Sequence, residues 1–336
     1  MSKRTLGILS LLLLVLLGFS VLMNIALVAS APFRVMGSTR APGNFRELEL
    51  YAGDRAAQIV HIDIEGMISS VGGSPFLPGS NLNQTKRMLE AAVADPSVKA
   101  LVVRINSPGG EITASDVLYQ AVETAASQKP VVIYMDSMAA SGGYYVACGG
   151  THLMANETTL TGSIGVIIQA LNYRELLGKV GLDAVTFTSG KFKDMLSPSR
   201  EMRPEERAYV QGMVDEMYAR FLGIVAEARA IPVDTLKSGI ADGRVITGKQ
   251  ALADGLIDET GYIESAYKKA RELGDAPNGR VVKYGTEVGL GQLLGVLGSA
   301  SAEGGKPTQV EMSLGDAQRP KLQPGAVYLL PAHFAL

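Results

Sequence analysis

The sequence predicts an α/β protein built on a largely parallel sheet and carried behind one apolar N-terminal segment. Three observations predict it. Strand-like apolar runs alternate with helix-period stretches between residues 59 and 148, the order that produces parallel strands joined by helical crossovers. Glycine is abundant, 38 residues of 336, which points to tight turns and close backbone approach rather than a plain helical bundle. Leu6 to Ala29 contains no charged residue.

Composition narrows the function classes. Hydrophobic residues make up 47% of the chain and charged residues 19%, so there is material for a core and disorder of the whole chain is excluded. Lys+Arg number 31 against 33 Asp+Glu, and a net charge of −2 leaves no electrostatic footprint for nucleic acid. A single cysteine rules out an intrachain disulfide framework and a cysteine-based zinc cage. His61, His152 and His333 share no metal-ligand spacing, so neither metal nor cofactor is expected.

At the N-terminus, Lys3 and Arg4 precede the charge-free run. Its length corresponds to roughly 36 Å of helix, against a hydrocarbon core of about 30 Å. Ala29-Ser30-Ala31 has the small residues of a signal-peptide cleavage site, but Pro32 follows it, and the run is longer than a signal h-region. The expectation is therefore an uncleaved single-pass anchor over residues 1–33. The basic end stays in the cytoplasm and the rest of the chain lies on the extracytoplasmic side. Residues 34–54, with Gly37, Pro42 and Gly43, read as a linker, residues 55–275 as the main folded domain, and residues 276–336 as a C-terminal extension.

Within the main domain, Ile59–Ile64, Ala100–Ile105 and Pro130–Met135 read as strands. Asn83–Ala94 and Thr113–Ala126 read as helices, and Ser141–Cys148 as a short helix of small residues. Pro204–Arg229 is the clearest helix: Pro204 suits the first position and Glu205 and Glu206 favour its positive end. Tyr209, Val210, Met213, Val214, Met217, Phe221, Leu222 and Val225 form one apolar stripe along it, either core or subunit interface. In the extension, Thr286–Ala300 reads as a weak amphipathic helix and Gln323–Ala332 as ending in a strand-like segment.

Chemistry concentrates in three glycine- and serine-rich turns. The first, Ile105-Asn-Ser-Pro-Gly-Gly110, follows a buried strand, and its glycines let backbone N–H groups face outward as an oxyanion hole requires. A phosphate loop is disfavoured because the Walker lysine is missing, while a plain tight turn stays open. In the second, Ser137 to Ala147, Ser141 opens the short helix as a candidate nucleophile or an ordinary N-cap. In the third, Leu160-Thr-Gly-Ser-Ile-Gly-Val166, Ser163 is a second hydroxyl that could hold a base, or part of a turn into a strand.

A serine nucleophile needs a base. None of the three histidines has an orienting partner in sequence, which weighs against Ser-His-Asp. A lysine made neutral by burial is the other option. Lys191 and Lys193 lie two apart in Val185–Arg200 and would share a face if that stretch is extended, so alternation does not choose between them.

Together these segments resemble the signal peptide peptidase A family of membrane-anchored serine–lysine peptidases. The resemblance covers roughly residues 55–275. It rests on Ser-Pro-Gly-Gly at 107–110, Ala-Ser-Gly-Gly-Tyr-Tyr at 140–145, Thr-Gly-Ser-Ile-Gly-Val at 161–166, Gly-Lys-Phe-Lys-Asp at 190–194 and Ser-Pro-Ser-Arg at 197–200. Ala241-Asp-Gly-Arg-Val245 and Gly255-Leu-Ile-Asp-Glu259 add to it.

The resemblance implies a Clp/crotonase-like fold of repeated ββα units. It further implies Ser141 as nucleophile, Lys193 as general base, Ser163 as the hydroxyl that hydrogen-bonds the lysine, and Gly109 with the N–H of Gly142 as the oxyanion hole. Gly110, adjacent to Gly109, is not separated from it by sequence. The implied substrates are signal-peptide remnants and other unfolded hydrophobic peptides at the membrane, and the implied assembly is a ring- or dome-shaped homo-oligomer. Alternatives are a quality-control peptidase for other membrane proteins, a crotonase-like enzyme acting on acyl-CoA, and a scaffold with a decayed site. The apolar segment Gly325–Leu330 is expected either to sit at a subunit interface or to occupy a peptide groove by strand addition.

Overall fold

A computed structural model describes residues 45–70 and 79–285, a strand at 328–329, and three helical positions near the N-terminus, Leu16, Leu17 and Ser20. The chain divides into two compact units, residues 1–38 and 39–336. Of the expected anchor only those three positions are described, and both leucines are exposed. The rest of that segment and the expected helix at 286–300 lie outside the described residues. No described helix is long and apolar enough to cross a membrane.

The second unit is an α/β body on a mostly parallel mixed sheet. Among the described residues nine strands join in it. The main path runs β1 (Arg46–Tyr51), β12 (Gly279–Gly285), β2 (Asp54–Glu65), β5 (Val98–Ser107), β7 (Val131–Ala140), β8 (His152–Ala155) and β11 (Glu259–Thr260). β1 pairs antiparallel with β12, and the remaining pairs on this path are parallel. β9 (Leu160–Gly162) continues beside the far end of β7 and pairs in turn with β10 (Val245–Thr247). A second sheet of four short strands runs β13 (Tyr328–Leu329), β6 (Gly110–Glu111), β3 (Met67–Ser69) and β4 (Gly79–Asn81).

The apolar runs become central strands because both sheet faces are covered. Val60, Ile62, Leu101, Val103, Val131 and Ile133 face a core shared with α1 (Leu82–Ala94), α2 (Ile112–Ala126), α3 (Gly142–Ala147) and the second half of α5 (Pro204–Arg229). Ile59, Ala100, Val102 and Val132 face the opposite side, under Ala266 and Ala270 of α8 (Ile263–Leu273). Between them in sequence lie three short helices, α4 (Arg174–Lys179), α6 (Val233–Ser238) and α7 (Gly248–Ala253).

Two boundaries differ from the sequence expectation. Residues 46–51, expected in the linker, form the edge strand β1, and residues 279–285, expected in the extension, form β12 between β1 and β2. The reason is apolar burial across long sequence distance: Val281 and Val282 of β12 face the two sides of the core and Tyr284 stacks on Phe45, while Arg280 on β12 meets Glu47 on β1 at 2.6 Å with both side chains almost fully enclosed. Two charged residues are thus internal to the sheet.

Candidate active site

Ser141 sits where β7 ends and α3 begins. Its backbone is held at φ 54° and ψ −116°, a left-handed conformation that costs a serine on the order of 1–3 kcal/mol. The surroundings enforce it. The Ser141 N–H donates to the Gly162 carbonyl at 2.8 Å, and the Ser141 carbonyl accepts the Tyr145 N–H at 2.9 Å. α3 is itself immobilised: the Tyr144 hydroxyl donates to the Leu256 carbonyl at 2.8 Å, and Tyr145 packs on Tyr119 and Phe221 while donating to Asp116 at 2.6 Å. Ser141 is fully buried, yet its Oγ has no hydrogen-bond partner among the described residues. A buried hydroxyl left unbonded carries a desolvation cost of about 1–3 kcal/mol, so the site spends stability to keep this oxygen free.

Ser163 lies beside it. Ala140 of β7 pairs in register with Gly162 of β9, so the residues that follow, Ser141 and Ser163, occupy adjoining strand ends. Ser163 is also left-handed, at φ 50°, and its N–H is fixed by the Arg244 carbonyl at 2.8 Å. The first turn closes the other side. Between β5 and β7 the pairing passes from Ile105–Met135 to Ser107–Ala139, an irregularity after which Pro108-Gly-Gly leaves this sheet. A Cβ on Gly142 would stand 3.2 Å from both the Gly109 Cα and the Gly110 nitrogen and 2.5 Å from Ser115 Oγ. A Cβ on Gly110 would stand 1.9 Å from the Ile68 carbonyl oxygen. Glycine at 142 lets the two turns touch, and glycine at 110 lets the first turn lie against β3. The Gly109 N–H donates to Ser107 Oγ at 3.1 Å, whereas the Gly110 nitrogen is the one packed against Gly142.

The structure therefore brings together Ser141, Ser163, Gly109 and Gly142. It does not bring Lys193 to them within one chain. Lys193 lies in a run of turns at 191–196, exposed, on an arm that leaves the body after β9 and returns at α5. The two lysines are nevertheless distinguishable. Lys191 Nζ pairs with Glu205 at 3.0 Å, whereas Lys193 has no ion-pair partner among the described residues. The extended conformation that put both on one face is absent.

The histidines are engaged elsewhere. His61 bridges Tyr267 and Asp63 at 2.8 Å each, and His152 lies 3.4 Å from Glu259. His333 is outside the described residues. The single cysteine, Cys148, is enclosed, and burial pushes its thiol up to about 12, which makes it inert. Among the described residues no group of three His, Cys, Asp or Glu side chains is placed to hold a metal ion.

Sequence reasoning missed Ser107 and Ser115, which shape the glycine contact, and Arg200 with Glu206, which anchor the lysine-bearing turn. Ser107 stood inside a quoted motif; Ser115 had no signal beyond its place on a helix.

An unbonded serine oxygen between two glycine turns, with a second serine alongside, is suited to nucleophilic attack on a carbonyl. The comparisons with known proteins agree. Residues 123–276 match the profile of peptidase family S49. The chain is 37% identical over 246 residues to a protein of Enterococcus faecium named as a candidate signal peptide peptidase SppA, covering 71% of this chain and 70% of that one. It is 38% identical over 218 residues to a candidate protease of Synechocystis, covering 64% and 74%. It is 35% identical over 223 residues to the chloroplastic serine protease SPPA of Arabidopsis thaliana, covering 66% of this chain but 33% of that longer one. The chain belongs to peptidase family S49, in the signal peptide peptidase A family, and is a serine peptidase.

Proposed function

We propose that the protein is a membrane-anchored serine–lysine endopeptidase that cleaves unfolded hydrophobic peptides, signal-peptide remnants among them, on the extracytoplasmic side. The observation that carries the reading is Ser141: strained, enclosed, and with its Oγ free. In this reading the arm of a second copy supplies Lys193, which completes a site that one chain leaves open. The arm supports it by what it exposes. Leu171, Leu176, Val180, Leu182, Val185 and Phe187 are all at least 60% accessible, a set of apolar side chains expected to be covered by a partner. The Clp/crotonase-like arrangement and the homo-oligomer belong to the same reading, as does the charge-free segment Leu6–Ala29 acting as anchor.

The chemistry follows from the parts. Lys193, uncharged in the assembled site, accepts the proton of Ser141 Oγ, and Oγ bonds to the peptide carbonyl carbon. The N–H of Gly142 donates to the oxyanion, joined by Gly109 once it releases Ser107 Oγ. Ser163 orients the lysine. The lysine ammonium then gives its proton to the departing amine, and water repeats the sequence on the acyl-enzyme. Pairing of Tyr328–Leu329 with Glu111 and Gly110 supports recognition of substrate as an added strand, because these two residues pair as a strand beside the turn that carries the oxyanion glycines.

The test uses full-length protein in mild detergent with a fluorogenic signal peptide. Ser141→Ala and Lys193→Ala should each abolish turnover while the fold survives. Mixed and reassembled, the two dead variants should recover a fraction of wild-type activity, since some interfaces then pair an intact serine with an intact lysine. Near-wild-type activity of Lys193→Ala overturns the dyad. Failure of the mixture to recover overturns the shared site.

A further inference from the structure

The lysine-bearing arm exposes apolar side chains, while one carboxylate where it rejoins α5 is enclosed, the reverse of ordinary packing. Glu206, in the first turn of α5, is completely enclosed. Arg200 donates to it twice, at 2.6 and 2.9 Å, and forks at the same time onto Asp194, at 2.6 and 2.9 Å. A further bond of 3.1 Å reaches the Asp194 carbonyl. Arg203 donates its backbone N–H to Glu206 at 2.9 Å, and its guanidinium contacts both Glu206 and the Lys191 carbonyl. The residue pair 191 and 194 thus brackets Lys193 and is tied on both sides to the start of α5. Enclosed ion pairs add little net stability, so stability does not account for this arrangement; a fixed geometry does.

Asp194 is the immediate neighbour of Lys193. A free carboxylate there would pair with the amine and hold its proton. We propose that Arg200, backed by Glu206, is a positioning residue for Lys193: it fixes the 191–196 turns and keeps the Asp194 carboxylate committed to itself and away from the lysine amine. The proposal rests on the reading of Lys193 as base. The other charges near this turn are already engaged. Glu205 is held by Lys191, and Arg203 faces Glu206 and Asp194.

The experiment is the pH dependence of kcat/KM for full-length enzyme in detergent, with the fluorogenic peptide. Arg200→Gln releases Asp194. The rising limb of the profile should move upward by about one pH unit, an about tenfold loss near neutral pH that alkaline buffer restores. Arg200→Gln combined with Asp194→Asn should bring the limb back while the plateau stays low, because the stray carboxylate is gone but the turn is still loose. A uniform loss at every pH in Arg200→Gln would show a merely structural role and overturn the proposal. If Arg200→Gln does not fold, Asp194→Asn decides: its limb should stay in place with a lowered kcat, and a downward shift would show Asp194 already acting on Lys193 despite Arg200. Lys193→Ala in the same assay keeps the two claims apart. Its full activity would remove the base itself, whereas an inactive Lys193→Ala beside an unmoved Arg200→Gln limb would remove only the positioning role.

Discussion

The body around Ser141 and the arm around Lys193 are built on opposite principles. In the body, both faces of the sheet are covered, α3 is enclosed, and two adjoining serines, Ser141 and Ser163, are held in a left-handed conformation. On the arm, side chains such as Phe187 stand 94% exposed, and what is enclosed is a carboxylate with two guanidinium partners. α5 crosses from one regime to the other. Phe221, Leu222 and Val225 are buried in the body, while Tyr209, on the same stripe, is exposed. The difference teaches how the chemistry is divided. The body holds Ser141, the proposed nucleophile, under strain that packing must enforce. The arm holds the turn around Lys193, the proposed base, by directional ion pairs, which fix a geometry without a core of their own.

The largest break in that comparison should come at the contact between the glycine turns. Gly142→Ala pushes a methyl group to 2.5 Å from Ser115 Oγ and to 3.2 Å from Gly109. Overpacking should cost about 1–3 kcal/mol of stability. Displacing the oxyanion donor should cost about 100- to 1000-fold in kcat. Peptidase rates beside thermal unfolding separate the two; an active, stable Gly142→Ala would mean that the turns do not form the oxyanion site.

Much of the body was legible in the sequence because its signals are local. The apolar runs at 59–64 and 100–105 fall inside β2 and β5, and the run at 130–135 inside β7 from Val131 onward. α1, α2 and α5 occur within a residue of the expected helices, since periodicity and Pro204 mark them without reference to the rest of the fold. β1 and β12 were not legible. Their pairing brings together residues 233 positions apart, such as Arg280 and Glu47, whose charges meet only after the sheet has formed. The site was half legible. Ser141, Ser163 and the glycine turns sit at strand ends that the motifs mark. Lys191 and Lys193 differ only once Glu205 folds back from the next helix and pairs with Lys191. Asp194, Arg200 and Glu206, an acid–base–acid series six residues apart, were a visible hint whose meaning needed the fold-back of the chain.

A smaller and opposed pair of effects sharpens the contrast between the regions. Phe221 is fully buried between Tyr145 and the core, and Phe221→Ala should cost about 3–5 kcal/mol in unfolding. Phe187→Ala should change unfolding by less than about 0.5 kcal/mol. Phe187→Asp should leave the fold equally intact but shift the proposed oligomer toward single chains in light scattering, with peptidase activity falling in parallel. An unchanged oligomer and unchanged rate in Phe187→Asp would mean that the exposed side of the arm is not where copies meet.

The mildest expected effect concerns acid, where the two regions should part. Paired with Arg200 above all, and also with Arg203, the Glu206 carboxyl is held down at about 2 against an ordinary 4.5, and Arg200 holds Asp194 below its usual range as well. A carboxylate with a lowered folded-state pKa contributes stability that is fully present above its ordinary value and is lost as pH falls toward the lowered one. The arm should therefore loosen progressively between about pH 4.5 and 2, as proton uptake breaks the Arg200 fork. The sheet has acid-sensitive pairs of its own, Arg104 on β5 with Asp63 on β2 and Asp136 on β7, but α3 is enclosed by apolar packing. Hydrogen exchange across this range should show amides of 190–206 losing protection while those of 142–147 keep theirs. Should both segments lose protection together, or should 190–206 stay closed down to pH 2, the arm would not be an ionically held element distinct from the body.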